Sequence, residues 1–147
     1  MRPEKDDLNY YKPELADYGE TEISLEPSFL ELEHQDNLTV LIKHDYYSTD
    51  SIHGRLLIGK FLKSLCQGQM KIGKLFFIDT SVRLLDKNNE FYTLVADLTS
   101  HSASTYVCTE SLEAYDVDLS DELKFNRALA SDIAAEIIAA DRVITIE

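Results

Sequence analysis

The sequence predicts an α/β protein with a mostly parallel sheet and helices on both faces. Three observations carry this. Short runs rich in aliphatic, β-branched and aromatic residues recur at Leu38–Ile42, Lys74–Ile78, Thr105–Val107 and Val143–Ile146. Stretches with apolar residues at helical spacing separate those runs. The first run, Leu-Thr-Val-Leu-Ile, is apolar almost throughout, as a strand buried on both faces requires. A β-α-β-α-β-α-β alternation then implies parallel strands joined by right-handed crossovers.

Residues 1–37 read differently. All three prolines of the chain, Pro3, Pro13 and Pro27, lie there among acidic residues and Tyr10, Tyr11 and Tyr18. No period lasts long, so this is an acidic N-terminal arm, partly extended, with a brief alternating strand at Phe29–Glu33. Residues 38–147 form the α/β domain. After the first strand, Thr49 or Asp50 can cap a helix running from about Ser51 to Gln67, with Gly68 as its stop. That helix has more apolar residues than one packed face needs, so its Leu57–Leu65 part is expected to form a dimer or trimer contact. Lys74–Ile78 is the second strand and ends in Asp79-Thr80-Ser81. Asn88 or Asn89 can cap a helix carrying Phe91, Leu94, Val95 and Leu98. The third strand ends at Cys108, and a loop rich in acid and tyrosine follows from Leu112 to Asp118. Ser120–Leu123 looks like a short capped helix. A longer helix, about Arg127–Ala140, buries Leu129, Ile133 and Ile137. Val143–Ile146 is the last strand.

Composition narrows the partners. With 14 basic and 27 acidic residues the net charge is −13, which argues against nucleic acid and anionic membrane surfaces. No apolar run approaches a membrane span, and the opening Met-Arg-Pro-Glu-Lys-Asp-Asp is not a secretory signal. Two cysteines make no disulfide framework, so a reducing, cytoplasmic setting is expected.

Three blocks carry a resemblance. They are Gly54-Arg55-Leu56-Leu57-Ile58-Gly59-Lys60-Phe61-Leu62-Lys63-Ser64-Leu65, then Leu75-Phe76-Phe77-Ile78-Asp79-Thr80-Ser81-Val82-Arg83-Leu84, then Cys108-Thr109-Glu110-Ser111-Leu112 with Tyr115 behind it. On these the region from Leu38 to Glu147 resembles the DsrE/DsrF-like sulfur-trafficking family. It looks closest to the carboxyl-terminal domain of YedF-type proteins linked to selenium metabolism. The third block resembles a Cys-Gly-Thr-Cys-Leu turn, with Cys108 at the first cysteine, Thr109 at the glycine and Ser111 at the second cysteine. The resemblance implies a three-layer α/β/α fold, frequent self-association, and sulfur handling through Cys108.

A carrier thiol must be reachable and must ionise, because the thiolate is the nucleophile. Cys108 falls at the carboxyl end of a strand, the rim where ligands collect in open α/β sheets. The loops 43–50, 79–85 and 109–117 are expected to line that rim, with Asp45, Thr80, Ser81, Thr109 and Ser111 facing the substrate. Lys43, His44 and Arg83 could supply positive charge, while Glu110, Glu113 and Asp116 would oppose a thiolate. Ser111 removes the second thiol of a dithiol mechanism. Cys66 falls on an apolar helical face and reads as a core residue. The histidines show no metal-ligand spacing, and no Gly-rich phosphate loop or Gly-x-Ser-x-Gly motif is present, so no metal or cofactor is expected. The first expectation is therefore a single-cysteine sulfur-relay or persulfide-binding protein, with a protein sulfur donor or acceptor as partner. The alternatives are a non-catalytic self-associating scaffold, or a small-molecule binding module, on the same fold.

Overall fold

A computed structural model describes residues 38–147. The acidic arm expected over residues 1–37, including its short strand and its tyrosines, lies outside the described residues. Strands β1 (Leu38–Ile42), β2 (Ile72–Phe77), β3 (Ser102–Cys108), β4 (Asn126–Ala128) and β5 (Arg142–Ile146) form one sheet in the order β4-β3-β2-β1-β5. Every neighbouring pair is parallel. The helices are α1 (Ile52–Gln67), α2 (Tyr92–Ser100), α3 (Thr109–Ala114) and α4 (Ala130–Ala139), with a 3-10 helix at Asp79–Leu85. The fold is the three-layer α/β arrangement expected from the sequence.

The layers follow from side-chain alternation along each strand. Val40 is in register with Leu75 and Ile144, while Leu41 is in register with Phe76 and Thr145. On one face Leu38, Val40, Ile42, Leu75, Phe77 and Val107 pack with Ile58 and Leu62 of α1 and Val95 and Leu98 of α2. That is the larger core. On the other face Phe76, Cys108 and Ile133 form a small cluster, edged by Leu41, Tyr106, Ala128 and Ile137. The chain steps outward from β1 to β4 and then returns to the far side of β1. Right-handed crossovers make that reversal change faces, so α4 covers the second face. It is the one long helix there among the described residues, so the cover is thin.

Several expectations need correction. Ser51, not Thr49 or Asp50, caps α1: its Oγ accepts the Gly54 N–H at 3.0 Å. Asn89 holds a turn by accepting the Phe91 N–H at 2.8 Å, and α2 starts only at Tyr92. Residues 109–114 are helix rather than loop. Ser120–Leu123 is a turn, in which the Ser120 Oγ accepts the Glu122 N–H at 3.1 Å. Arg127 belongs to β4, a strand beyond the four expected: Tyr106, Val107 and Cys108 pair with Asn126, Arg127 and Ala128. Three residues are too few for strand alternation to show in sequence. The surplus apolar surface of α1 is partly absorbed within the chain, because Phe61 stacks on Tyr47 with ring centres 4.1 Å apart. Ile52 and Leu56 remain 79% and 54% exposed.

Candidate functional site

Cys108 is the last residue of β3 and directly precedes α3, so strand passes to helix with no intervening loop. β3 alternation sends Thr105 and Val107 to the thick core and Tyr106 and Cys108 to the thin face. Cys108 is 3% exposed, yet it lines a crevice of about 620 Å³ at the carboxyl end of the sheet. One wall is apolar and comes from α4, through Ile133, Ala134, Ile137 and Ile138. Ile138 is 84% exposed and stands at the mouth. The polar side comes from Asp79, Glu110, Ser111 and Tyr115.

Glu110 is tied to the sulfur. The Cys108 thiol donates to Glu110 Oε1 at 3.5 Å, and the same oxygen accepts the Ala130 N–H at 2.9 Å. Ala130 opens α4, so its N–H has no partner inside the helix. That N–H, then the backbone N–H of Glu110 itself, then the thiol, hold the Glu110 carboxyl below its usual range. Glu110 thus stays ionised, joins α3 to α4, and fixes where the Cys108 sulfur lies.

Ser111 stands where the resembling motif has a second cysteine, and its role here is mechanical. Its Oγ accepts the Asp79 N–H at 2.8 Å. Asp79 has φ of 52°, in the left-handed region that costs a non-glycine residue energy unless contacts hold it. Tyr115 supplies a second contact, donating its hydroxyl to Asp79 Oδ1 at 2.8 Å. This bond to a carboxylate is the main cause that raises the Tyr115 pKa. The Arg83 guanidinium lies 4.5 Å from the centre of the Tyr115 ring. Ser111, Asp79 and Tyr115 therefore form one braced corner of the crevice.

The other residues expected to face substrate are placed differently. Ser81 is fully buried, with its hydroxyl 2.7 Å from the carbonyls of both Ile42 and Ile78, which share its one proton, so it knits β1 to the start of the 3-10 helix. Thr80 accepts the Asp45 N–H at 3.3 Å and meets His44 Nδ1 at 3.2 Å. Asp45 and Thr80 sit on the same rim but do not line the Cys108 crevice, and neither does Thr109, the first residue of α3. Residues 43–50 do not reach the crevice at all, whereas α4 does. Of the cations expected to favour a thiolate, Lys43 pairs with Glu147 and Arg83 with Asp45, and His44 Nδ1 lies 3.5 Å from Asp79 Oδ2; none of the three lines the crevice itself. The contribution of α4 was hidden because its stripe of Ile133 and Ile137 signals burial alone. Among the described residues no group of three His, Cys, Asp or Glu is placed to hold a metal ion. No helix among them is long and apolar enough to cross a membrane.

Cys66 has the setting of a structural thiol. It is half-buried against the larger core and donates to the Leu94 carbonyl at 3.4 Å. Burial, and after it the charge and hydrogen bond of Asp97, push its pKa up to about 11.

The sequence model of the DsrE/DsrF-like family matches residues 36–146. No curated protein matches the chain. Among solved structures the chain is similar to a conserved protein of unknown function, BT1422, from Bacteroides thetaiotaomicron, at 13% identity and a TM-score of 0.51, over 76% of this chain and 96% of that one. It is also similar to the ychN protein of E. coli at 14% identity and a TM-score of 0.49, over 74% of this chain and 97% of that one. At such identity the BT1422 likeness shows the fold alone.

Proposed function

The chain belongs to the DsrE/DsrF-like family, and from that premise and the seat of Cys108 we propose that it relays sulfur through this single cysteine. The observation that carries the proposal is a nearly buried thiol at a strand's carboxyl end, opening into a crevice with a largely apolar wall. In the proposed step the Cys108 thiolate attacks the outer sulfur of a donor persulfide, R–S–SH. The donor S–S bond breaks, R–S⁻ leaves and takes up the proton that Cys108 lost, and Cys108 holds the transferred sulfur as a persulfide. The sum is R–S–SH plus Cys108–SH giving R–SH plus Cys108–S–SH. No second thiol follows at position 111, so the persulfide waits until an acceptor thiolate removes its outer sulfur. Donor and acceptor are proteins in this reading, met in the cytoplasm. The sequence blocks at Gly54–Leu65 and Leu75–Leu84 support a relation to the YedF-type carboxyl-terminal domain.

The second reading is a non-catalytic scaffold. Its support is specific: an ionised carboxylate touches the sulfur, and no Lys, Arg or His lines the crevice among the described residues. Alkylation separates the two readings. At neutral pH iodoacetamide is expected to label Cys108 about tenfold faster than Cys66 or more, since few Cys66 thiols are ionised far below a pKa of about 11. Raising the pH toward that value ionises Cys66, so its labelling climbs. Equal rates at neutral pH would favour the scaffold.

Self-association is part of the same proposal, supported by Ile52 and Leu56 exposed on α1. Light scattering is expected to give a mass above that of one chain. A monomer at high micromolar concentration would remove this part.

A further inference from the structure

The Cys108 crevice has acid but no base. Asp79 and Glu110 line it, and no Lys, Arg or His does among the described residues. The two helices that border it carry four charged residues, Glu110 and Glu113 on α3 and Asp132 and Glu136 on α4, all of them acidic. Glu136 is paired with Lys74, and His44 approaches Asp79 from outside the lining. Leu41, Ile78, Ile133, Ile137 and Ile138 supply the large apolar side chains. Ile138 is 84% exposed at the mouth. A volume of about 620 Å³ suits several side chains rather than one small ion.

A thiolate gains from nearby positive charge and loses beside a carboxylate. The Cys108 thiol donates to Glu110 Oε1 at 3.5 Å, and the Ala130 N–H holds that same oxygen at 2.9 Å, so the carboxylate stays next to the sulfur. The cation that a relay cysteine needs is therefore absent from its own site. We propose, resting on the relay reading, that the partner brings it: the crevice takes a protein segment whose cysteine is flanked by apolar residues and, beyond them, by Lys or Arg. The apolar residues cover Ile138 and the α4 wall. The basic residues meet Glu110 and Asp79 and favour the Cys108 thiolate when the donor sulfur is in place. The net charge of −13 steers the same partner toward the chain. The transfer balances as R–S–SH plus Cys108–SH giving R–SH plus Cys108–S–SH, with R the partner chain, and the partner's cations enter and leave unchanged. Acidic partners are repelled, and partners without apolar flanks leave the α4 wall uncovered.

Three peptides with a persulfidated central cysteine and blocked ends make the test: Lys-Leu-Cys-Leu-Lys, Glu-Leu-Cys-Leu-Glu and Lys-Ser-Cys-Ser-Lys. Each is mixed with the full chain at neutral pH, and sulfur on Cys108 is followed by mass spectrometry. Each rate is divided by the same peptide's rate with mercaptoethanol, which removes differences in intrinsic reactivity. The first peptide is expected to load Cys108 about tenfold faster than either of the others. Salt at about 1 M is expected to narrow the gap between the lysine and glutamate peptides, because Asp79 and Glu110 are exposed. Asp79→Asn combined with Glu110→Gln is expected to narrow it too, while the amide oxygens still accept from the Tyr115 hydroxyl and the Ala130 N–H. Equal rates for the three peptides, or a faster glutamate peptide, would overturn the proposal and leave the relay standing. A gap that neither salt nor the double variant changes would overturn the role given to the carboxylates. Serine analogues of the peptides separate failure of the relay itself, with binding read from amide NMR shifts in residues 110–115 and 130–138. If the lysine–leucine analogue alone shifts these residues while no peptide loads Cys108, the partner chemistry stands and the relay falls. Neither shifts nor loading would overturn both.

Discussion

Replacing Gly54 with alanine is expected to lower the melting temperature by roughly 10 °C. In an ordinary helix the change would stabilise by about 0.5–1 kcal/mol, because alanine loses less backbone freedom on folding. Here the surroundings reverse the sign. Gly54 lies in the first turn of α1, and the loop after β1 wraps around it. Its N–H goes to the Ser51 Oγ and its carbonyl accepts the Tyr47 N–H at 2.9 Å. A Cβ there would run into the Thr49 carbonyl oxygen and would sit 3.0 Å from both the Thr49 carbonyl carbon and the Tyr47 carbonyl oxygen. These are main-chain atoms, so no side chain can swing aside. Overpacking of this kind costs about 3 kcal/mol, which outweighs the helical gain. Calorimetry of Gly54→Ala checks it. An unchanged or raised melting temperature would show that the loop yields freely.

The parts of this fold that were legible in sequence are those in which pattern and burial coincide. Leu38–Ile42 is apolar but for Thr39 because α1 and α2 cover one face and the sheet interior flanks it on both edges. Val95 and Leu98 are at helical spacing because they meet the same core. β4 was not legible, since Asn126, Arg127 and Ala128 have neither length nor alternation and are strand only through their pairing to β3. Cys108 was legible as a strand end, which is a local property. The company it keeps was not. The Ser111–Asp79 bond joins residues far apart in sequence and depends on the left-handed backbone at Asp79. Glu110 meets Ala130 only because α4 starts where β4 ends. Lys43, His44 and Arg83 share the rim with Cys108 yet meet Glu147, Asp79 and Asp45, a choice that tertiary geometry makes.

Cys108→Ser is expected to abolish sulfur loading while leaving the fold intact. Serine is close in size to cysteine, and its hydroxyl can donate to Glu110 as the thiol does. What it lacks is a sulfur nucleophile, so the attack on a persulfide donor has no substitute and the loss should be complete rather than partial. The apolar wall of α4, the Asp79 corner and the Glu110 tie would all remain, which separates chemistry from architecture. Cys66→Ser should load as the wild type does, because Cys66 lies against the other core and its thiol stays protonated at neutral pH. The most direct measurement is intact-protein and peptide mass spectrometry after exposure to a persulfide donor at neutral pH. The relay account predicts one added sulfur atom, located on Cys108, in wild type and Cys66→Ser, and none in Cys108→Ser. Wild type without added sulfur, or with the added sulfur on Cys66, would contradict it.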